Sequence, residues 1–348
     1  MKRTVLLAAS AALMVITSCS KEMTTSTSQK VTVDVSIVSG VPATKATGEV
    51  NTTTAEYHSA AEQTVNNLQV FIFSDDILDG YASADNLTST SVECTAGSRD
   101  IYCLVNAPAT LSSIVSKTAL LAAVSELAEN PSGFEMIGSS AGQTIAAGDN
   151  ADIEVPVGRL ASKIVIKSIE NALKTGGSIK ITRVYVSNVA GQVNYGLDTY
   201  SPADGKWFNK GGYQALNNLG SFTQDISLSA VVEHGSTYST GHYFYAYPNN
   251  SAQANHAETW SPKRTMLVVQ IEYNGNLYDY PVDLGVDLAP NKMYVLNNLK
   301  LVNLGNSDDG EEGGSDEEDP VTGSTVQVSV DIVDWDLILL GNEGEITI

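Results

Sequence analysis

The chain has 348 residues, enough for two ordinary domains, and 43% of them are hydrophobic, so real cores can form. Its formal net charge of −21 excludes the clustered Lys and Arg surface on which nucleic-acid binding rests, and it disfavours anionic membranes. The acidity is uneven, with eight carboxylates between Asp308 and Asp319.

The N-terminus reads as a targeting segment. Lys2 and Arg3 precede an apolar run from Val5 to Ile16. That run is shorter than the roughly 20 residues a bilayer span needs, and it has the shape of a secretory signal. It ends in Ile16-Thr17-Ser18-Cys19, which resembles the lipobox of bacterial lipoproteins. The resemblance implies a signal peptide over 1–18 and a lipid-bearing Cys19 held in the outer membrane. The alternative is an ordinary signal peptide that happens to contain a Cys. Two acyl chains anchor stably where one is marginal.

A polar stalk, SKEMTTSTSQK, leads into the strand VTVDVSIV. Val31, Val33, Val35 and Ile37 share one of its faces. Gly40 and Pro42 end it, and the loop PATKATG follows. That loop carries Lys45, so a trypsin-like protease cutting between Lys45 and Ala46 would detach the strand and the lipid together. Residues 19–45 are thus read as a lipidated propeptide with a capping strand.

The first domain is expected over 46–157. Leu68, Val70 and Ile72 alternate in one strand. SVECTAGSRDIYCLVN reads as a hairpin turning near Gly97-Ser98, with Cys94 opposite Cys103. An exported protein permits a disulfide there, and two buried thiols are the alternative. Leu111 to Glu129 has helical spacing, with Leu120, Val124 and Leu127 on one side and Pro131 just beyond. The second domain, 158–304, is strand after strand, including a hairpin with Asn274-Gly275 at its turn. The fold class expected is mainly β: two sandwich domains in tandem, with one longer helix in the first. An acidic tether, 305–325, then leads to a tail, 326–348.

Catalytic and metal motifs are missing from the sequence. His58, His234, His242 and His256 lack metal-site spacing, and neither a Gly-x-Ser-x-Gly elbow nor a P-loop occurs. The chain is read as non-enzymatic, without cofactor or metal. Tyr243, Tyr245 and Tyr247 alternate in YFYAYPNN, as in a packed sandwich face or a sugar-binding surface.

The tail repeats the head. VQVSVDIV, residues 326–333, sets Val326, Val328, Val330 and Ile332 where VTVDVSIV sets Val31, Val33, Val35 and Ile37. A groove that accepts one strand can accept the other. Removing the capping strand would open the groove to the tail of another copy, with Trp335 packing at its mouth, and contacts of that kind grow filaments.

Together these segments resemble the fimbrillins, the type V pilins of Bacteroidales. The matching stretches are the lipobox at Cys19, the loop TKAT, NNLQVFIFSDD, GRLASKIVI with its Arg159 and Lys163, APNKMYVLNNL, and a terminal valine strand ending in Asp334-Trp335. The resemblance implies two transthyretin-like β-sandwich domains. It also implies export as a lipoprotein, processing at a basic residue, and donor-strand polymerisation with copies of itself or related subunits. The product would be an extracellular fimbrium that contributes to adhesion. Lys45 stands where the best-known family site has an Arg, and residues 337–348 extend beyond the Trp-Asp. The competing readings are a fimbrial tip adhesin and a monomeric, lipid-anchored glycan-binding protein. The sequence names no host or bacterial surface ligand.

Overall fold

A computed structural model describes residues 29–39, 59–148, 150, 152–198, 200–251, 262–284, 287–307, 326–327 and 330–335. The first half of the chain forms eight strands: β1 (Lys30–Ser39), β2 (Asn67–Ser74), β3 (Ile77–Asp85), β4 (Ser89–Thr95), β5 (Gly97–Val105), β6 (Val124–Glu126), β7 (Met136–Ile145) and β8 (Ile153–Arg159). All but β6 make one sheet in the order β3-β2-β5-β7-β8-β1-β4. The sheet rolls until its two edges meet. Asp79 on β3 accepts hydrogen bonds from the Thr95 N–H (2.8 Å) and from Arg99 Nε (2.7 Å). Gly80 permits the approach, because a Cβ there would stand 2.4 Å from the Glu93 carbonyl oxygen.

Strand alternation fills the roll. Leu68, Val70 and Ile72 of β2, Ile101 and Val105 of β5, Val92 of β4, and Val155 and Val157 of β8 all point inward. The outer face of β2 is apolar too. Its Phe71 and Phe73 join Leu104 and Phe134 in a second core shared with the rest of the chain.

Two sequence expectations fail here. Cys94 and Cys103 do not face each other. Cys94 lies opposite Val31 of β1, and Cys103 lies opposite Val70 and Gly138. Both are buried free thiols, which is the alternative the sequence left open beside a disulfide. Gly97, at φ +132°, carries the chain across the roll instead of back along β4. The long helix is also absent. Helix α1 spans only Lys117–Ala122, N-capped by Ser116 Oγ, which accepts from the Ala119 N–H at 3.2 Å. Ala123 then turns extended, β6 pairs with Gln192–Asn194, and a 3-10 turn takes Leu127–Glu129. Pairing with a distant strand outcompetes a local helical pattern.

The second half begins with β9 (Ser162–Ile166), β10 (Ile169–Asn171) and β11 (Ile179–Ser187). Strand β11 pairs with Met266–Tyr273, which pairs with Asn276–Asp283. The Asn-Gly turn forms as expected, with Asn274 at φ 53° and Gly275 at φ 85°. The facing sheet has the order His242–Ala246, β9, Lys292–Leu296, Val330–Asp334. A continuation of similar order runs through Thr237–Tyr238, β10, Leu299–Leu301 and Val326–Gln327. The fold is mainly β throughout.

Candidate functional site

Strand β1 is an interior strand of the first sheet. It runs antiparallel to β4 from Lys30 opposite Thr95 to Ser36 opposite Ser89. It runs parallel to β8 from Val35 opposite Ile153 to Ser39 opposite Val157. Val33, Val35 and Ile37 are 1%, 0% and 3% exposed, and Val31 is half-buried. The polar face looks outward, where Ser91 Oγ donates to the Asp34 carboxylate. Taking β1 away would leave a furrow between β4 and β8, walled by Val92, Cys94, Val155 and Val157. Each fully buried aliphatic side chain contributes roughly 1.5–3 kcal/mol, so the furrow holds β1 tightly while β1 is present.

The tail strand also has a place, and the sequence did not foresee it. Val330–Asp334 lies antiparallel to Lys292–Leu296, and Val326 and Gln327 pair with Leu301 and Lys300. The chain's own tail thus forms the edge of its own second half. Val328 lies outside the described residues. Trp335 is 3% exposed and sits in a socket between the two halves of the chain, not at the mouth of the β1 furrow. Its Nε1–H donates to Glu62 Oε2 at 2.9 Å, and its backbone N–H donates to the Asn291 carbonyl at 3.2 Å. The Arg159 guanidinium lies 4.4 Å from the ring centroid and donates through Nη1 to the Trp335 carbonyl at 2.8 Å. Tyr245 stacks on the indole with centroids 5.7 Å apart, and Phe134 meets it edge-on at 5.3 Å.

Glu62 organises this socket. It ends a single 3-10 turn, Ala60–Glu62, and the Ser59 N–H donates back to its Oε1 at 3.1 Å. Lys163 Nζ pairs with Oε1 at 2.7 Å, and both side chains are 1% exposed. The Tyr245 hydroxyl donates to the same oxygen at 2.6 Å. Arg159 donates to the Glu62 backbone carbonyl from Nε at 3.2 Å and from Nη2 at 2.5 Å. Burial pushes the Lys163 pKa down while the Glu62 carboxylate pulls it up. Burial also pushes the Tyr245 phenol far up, so it stays a donor. The arrangement binds an indole N–H and a ring face; it carries no nucleophile set against a base.

The sequence placed Arg159, Lys163 and Trp335 on notable segments but missed Glu62, which stands in the unremarked run AAEQ. Cys19, Lys45 and Ala46 lie outside the described residues. Among the described residues no group of His, Cys, Asp or Glu is arranged to hold a metal, and no helix is long and apolar enough to cross a membrane.

The family model described as "Major fimbrial subunit protein (FimA)" matches residues 30–183. No curated protein matches the chain. Among solved structures, the fold is similar to a "putative cell adhesion protein" of Parabacteroides distasonis ATCC 8503, at TM-score 0.60 and 18% identity, covering 90% of this chain and 99% of that one. It is similar to a fimbrilin (FimA) of Porphyromonas gingivalis W83, at TM-score 0.56 and 14% identity, covering 89% and 98%. It is also similar to the tip fimbrial protein Mfa3 of Porphyromonas gingivalis, solved with a C-terminal truncation, at TM-score 0.53 and 12% identity, covering 88% and 100%. The resemblance to fimbrillins read from the sequence is borne out.

Proposed function

We propose, from the family match and the strand geometry together, that the chain is a subunit of a cell-surface fimbria. It is exported as a lipoprotein through Cys19, cut between Lys45 and Ala46, and polymerised by donor-strand exchange. The observation that carries this reading is β1: an interior strand, buried along one face, joined to the rest of the chain through the loop that holds Lys45. After the cut, only non-covalent contacts retain residues 19–45. Loss of that segment removes the lipid and uncovers the furrow between β4 and β8.

The incoming strand is the tail of a second copy. Val326, Val328, Val330 and Ile332 repeat the spacing of Val31, Val33, Val35 and Ile37, so they suit the same pockets. Backbone hydrogen bonds supply affinity and the alternate side chains supply register. The donor must first leave its own edge beside Lys292–Leu296, which makes exchange slow. Each subunit then offers one furrow and one donor, and such heterologous contacts extend without closing.

The test uses purified precursor. Trypsin cutting after Lys45 is followed by size-exclusion chromatography, mass spectrometry and electron microscopy. Wild type is expected to shed the leader and give ladders or filaments. Lys45→Gln keeps the leader and stays monomeric, and deletion of residues 326–348 gives cut monomers. Monomers that persist after the leader of the wild-type chain has dissociated would overturn the proposal.

A further inference from the structure

The furrow between β4 and β8 meets its strand along two faces. The apolar pockets suit head and tail alike, so they do not tell the two apart. The outer, polar face does. On the head strand that face reads Thr32, Asp34, Ser36, and on the tail it reads Gln327, Ser329, Asp331. The serine and the aspartate have changed places.

The register of β1 fixes what each position meets. Thr32, Asp34 and Ser36 stand opposite Glu93, Ser91 and Ser89 of β4. Ser91 Oγ donates to the Asp34 carboxylate, so the acid of the head strand has a partner. On the other side, Ser36 stands beside Glu154 of β8. Glu154, Ser89, Ser91 and Glu93 are all exposed on this outer face. The ladder with β8 starts at Val35 opposite Ile153, so Asp152 lies just before its start, toward Asp34. Strands β4 and β8 put no Lys or Arg on this face, since their single basic residue, Arg159, is buried at the end of β8.

A tail strand in the register of β1 brings Asp331 to the place of Ser36. It then has Ser89 on one side and the Glu154 carboxylate on the other. Like charges paired across neighbouring strands repel, and nothing basic on the face offsets them. The head strand escapes this because a serine stands there. We propose that Glu154 is a specificity-determining residue of the furrow, selecting against an acid at the place of Ser36. The chain's own tail is therefore a handicapped donor. The favoured partner is a related chain whose tail carries a neutral or basic residue at that place. This inference rests on the strand-exchange reading and adds to it a ranking of donors.

The test uses full-length chains cut after Lys45 and freed of the leader, held at low salt until the filament fraction is constant. Sedimentation then gives the concentration of free subunit that coexists with filaments. Glu154→Gln should lower that concentration by about threefold and Glu154→Lys by about tenfold. Both gains should shrink at about 1 M salt, where the screening length falls to about 3 Å. Asp198→Lys makes the same change in net charge at an exposed acid in the second half of the chain, and it should leave the concentration unchanged. Asp331→Lys also alters the tail's own place opposite Val295, so it is read in both backgrounds. Its effect should be more favourable in the wild-type chain than in the Glu154→Lys chain by about tenfold or more. Wild-type filaments whose free-subunit concentration ignores Glu154→Lys, or responds equally to Asp198→Lys, would overturn this inference and leave strand exchange standing. A cut wild-type chain that stays monomeric would overturn strand exchange, and the ranking of donors with it.

Discussion

Glu62 is a single buried carboxylate that meets Lys163, Tyr245 and Trp335, while its backbone carbonyl meets Arg159. Removing one partner of such a group differs from removing the whole set. Lys163→Met should strand the Glu62 charge in the interior and cost about 3–5 kcal/mol, read as a lower urea midpoint. Pairing it with Glu62→Gln should return most of that loss. A double variant no more stable than Lys163→Met would show that packing, not charge, dominates here. Trp335→Phe keeps an aromatic ring and deletes the N–H that reaches Glu62. A hydrogen bond to a charged group contributes about 1.5–3 kcal/mol, so amide exchange over Val330–Asp334 should speed up by tenfold or more. Unchanged exchange there would mean that the indole does not hold the tail strand. The sequence displayed Trp335 but hid its partner, because Glu62 lies 273 positions away. A contact so distant leaves no periodicity and no motif.

Elements were legible wherever one face of a strand is buried and the other is wet. Strand β1 alternates cleanly because its outward residues meet solvent, whereas β2 is buried on both faces and only Leu68, Val70 and Ile72 of its inner row were read, not Phe71 and Phe73 on the other. The misreadings fall where pairing partners are remote. The apolar spacing from Leu111 to Glu129 serves four short elements, two of them 3-10 turns, and β6 inside it exists only because Gln192–Asn194 lies beside it. A polar network sits at this seam. The Tyr195 hydroxyl donates to Glu135, the Glu135 N–H donates to Asn130 Oδ1 at 2.9 Å, and Asn130 Nδ2 donates to the Tyr247 hydroxyl at 2.9 Å. Burial pushes the Glu135 carboxyl up to about 7, opposed by hydrogen bonds from Tyr195 and Ser125. Below the ordinary carboxylate range the group is protonated in both folded and unfolded chains, and its contribution is fully present. From about 4.5 to about 7 the unfolded chain loses the proton while the folded chain keeps it, so stability drains away as pH rises. Above about 7 the loss is complete, on the order of 3 kcal/mol at 1.36 kcal/mol per unit. Urea midpoints should therefore fall between pH 5 and about 7.5. Glu135→Gln should flatten that part of the profile. A wild-type midpoint that rises across the same window would contradict the assignment.

At the scale of the whole molecule, two strands of similar pattern occupy two different places. The head strand fills the furrow between β4 and β8, and the tail strand borders Lys292–Leu296. The chain is thereby capped at both ends by its own strands, and the proposed polymer requires both caps to move. This double capping predicts a stoichiometry. A chain lacking residues 326–348 but retaining its leader has one vacancy, the edge beside Lys292–Leu296. The same chain after trypsin and loss of the leader has two, because the furrow is open as well. A synthetic peptide of residues 326–335 should bind the uncut form once and the cut form twice, as counted by native mass spectrometry. A peptide of residues 31–38 lacks Trp335 and so cannot fill the socket built on Glu62, Arg159 and Lys163. It should compete at the furrow alone and reduce the cut form to one bound tail peptide. Single occupancy of both forms would mean that the two strand sites are not interchangeable, and the valine pattern shared by head and tail would then reflect nothing more than the alternation common to β-strands.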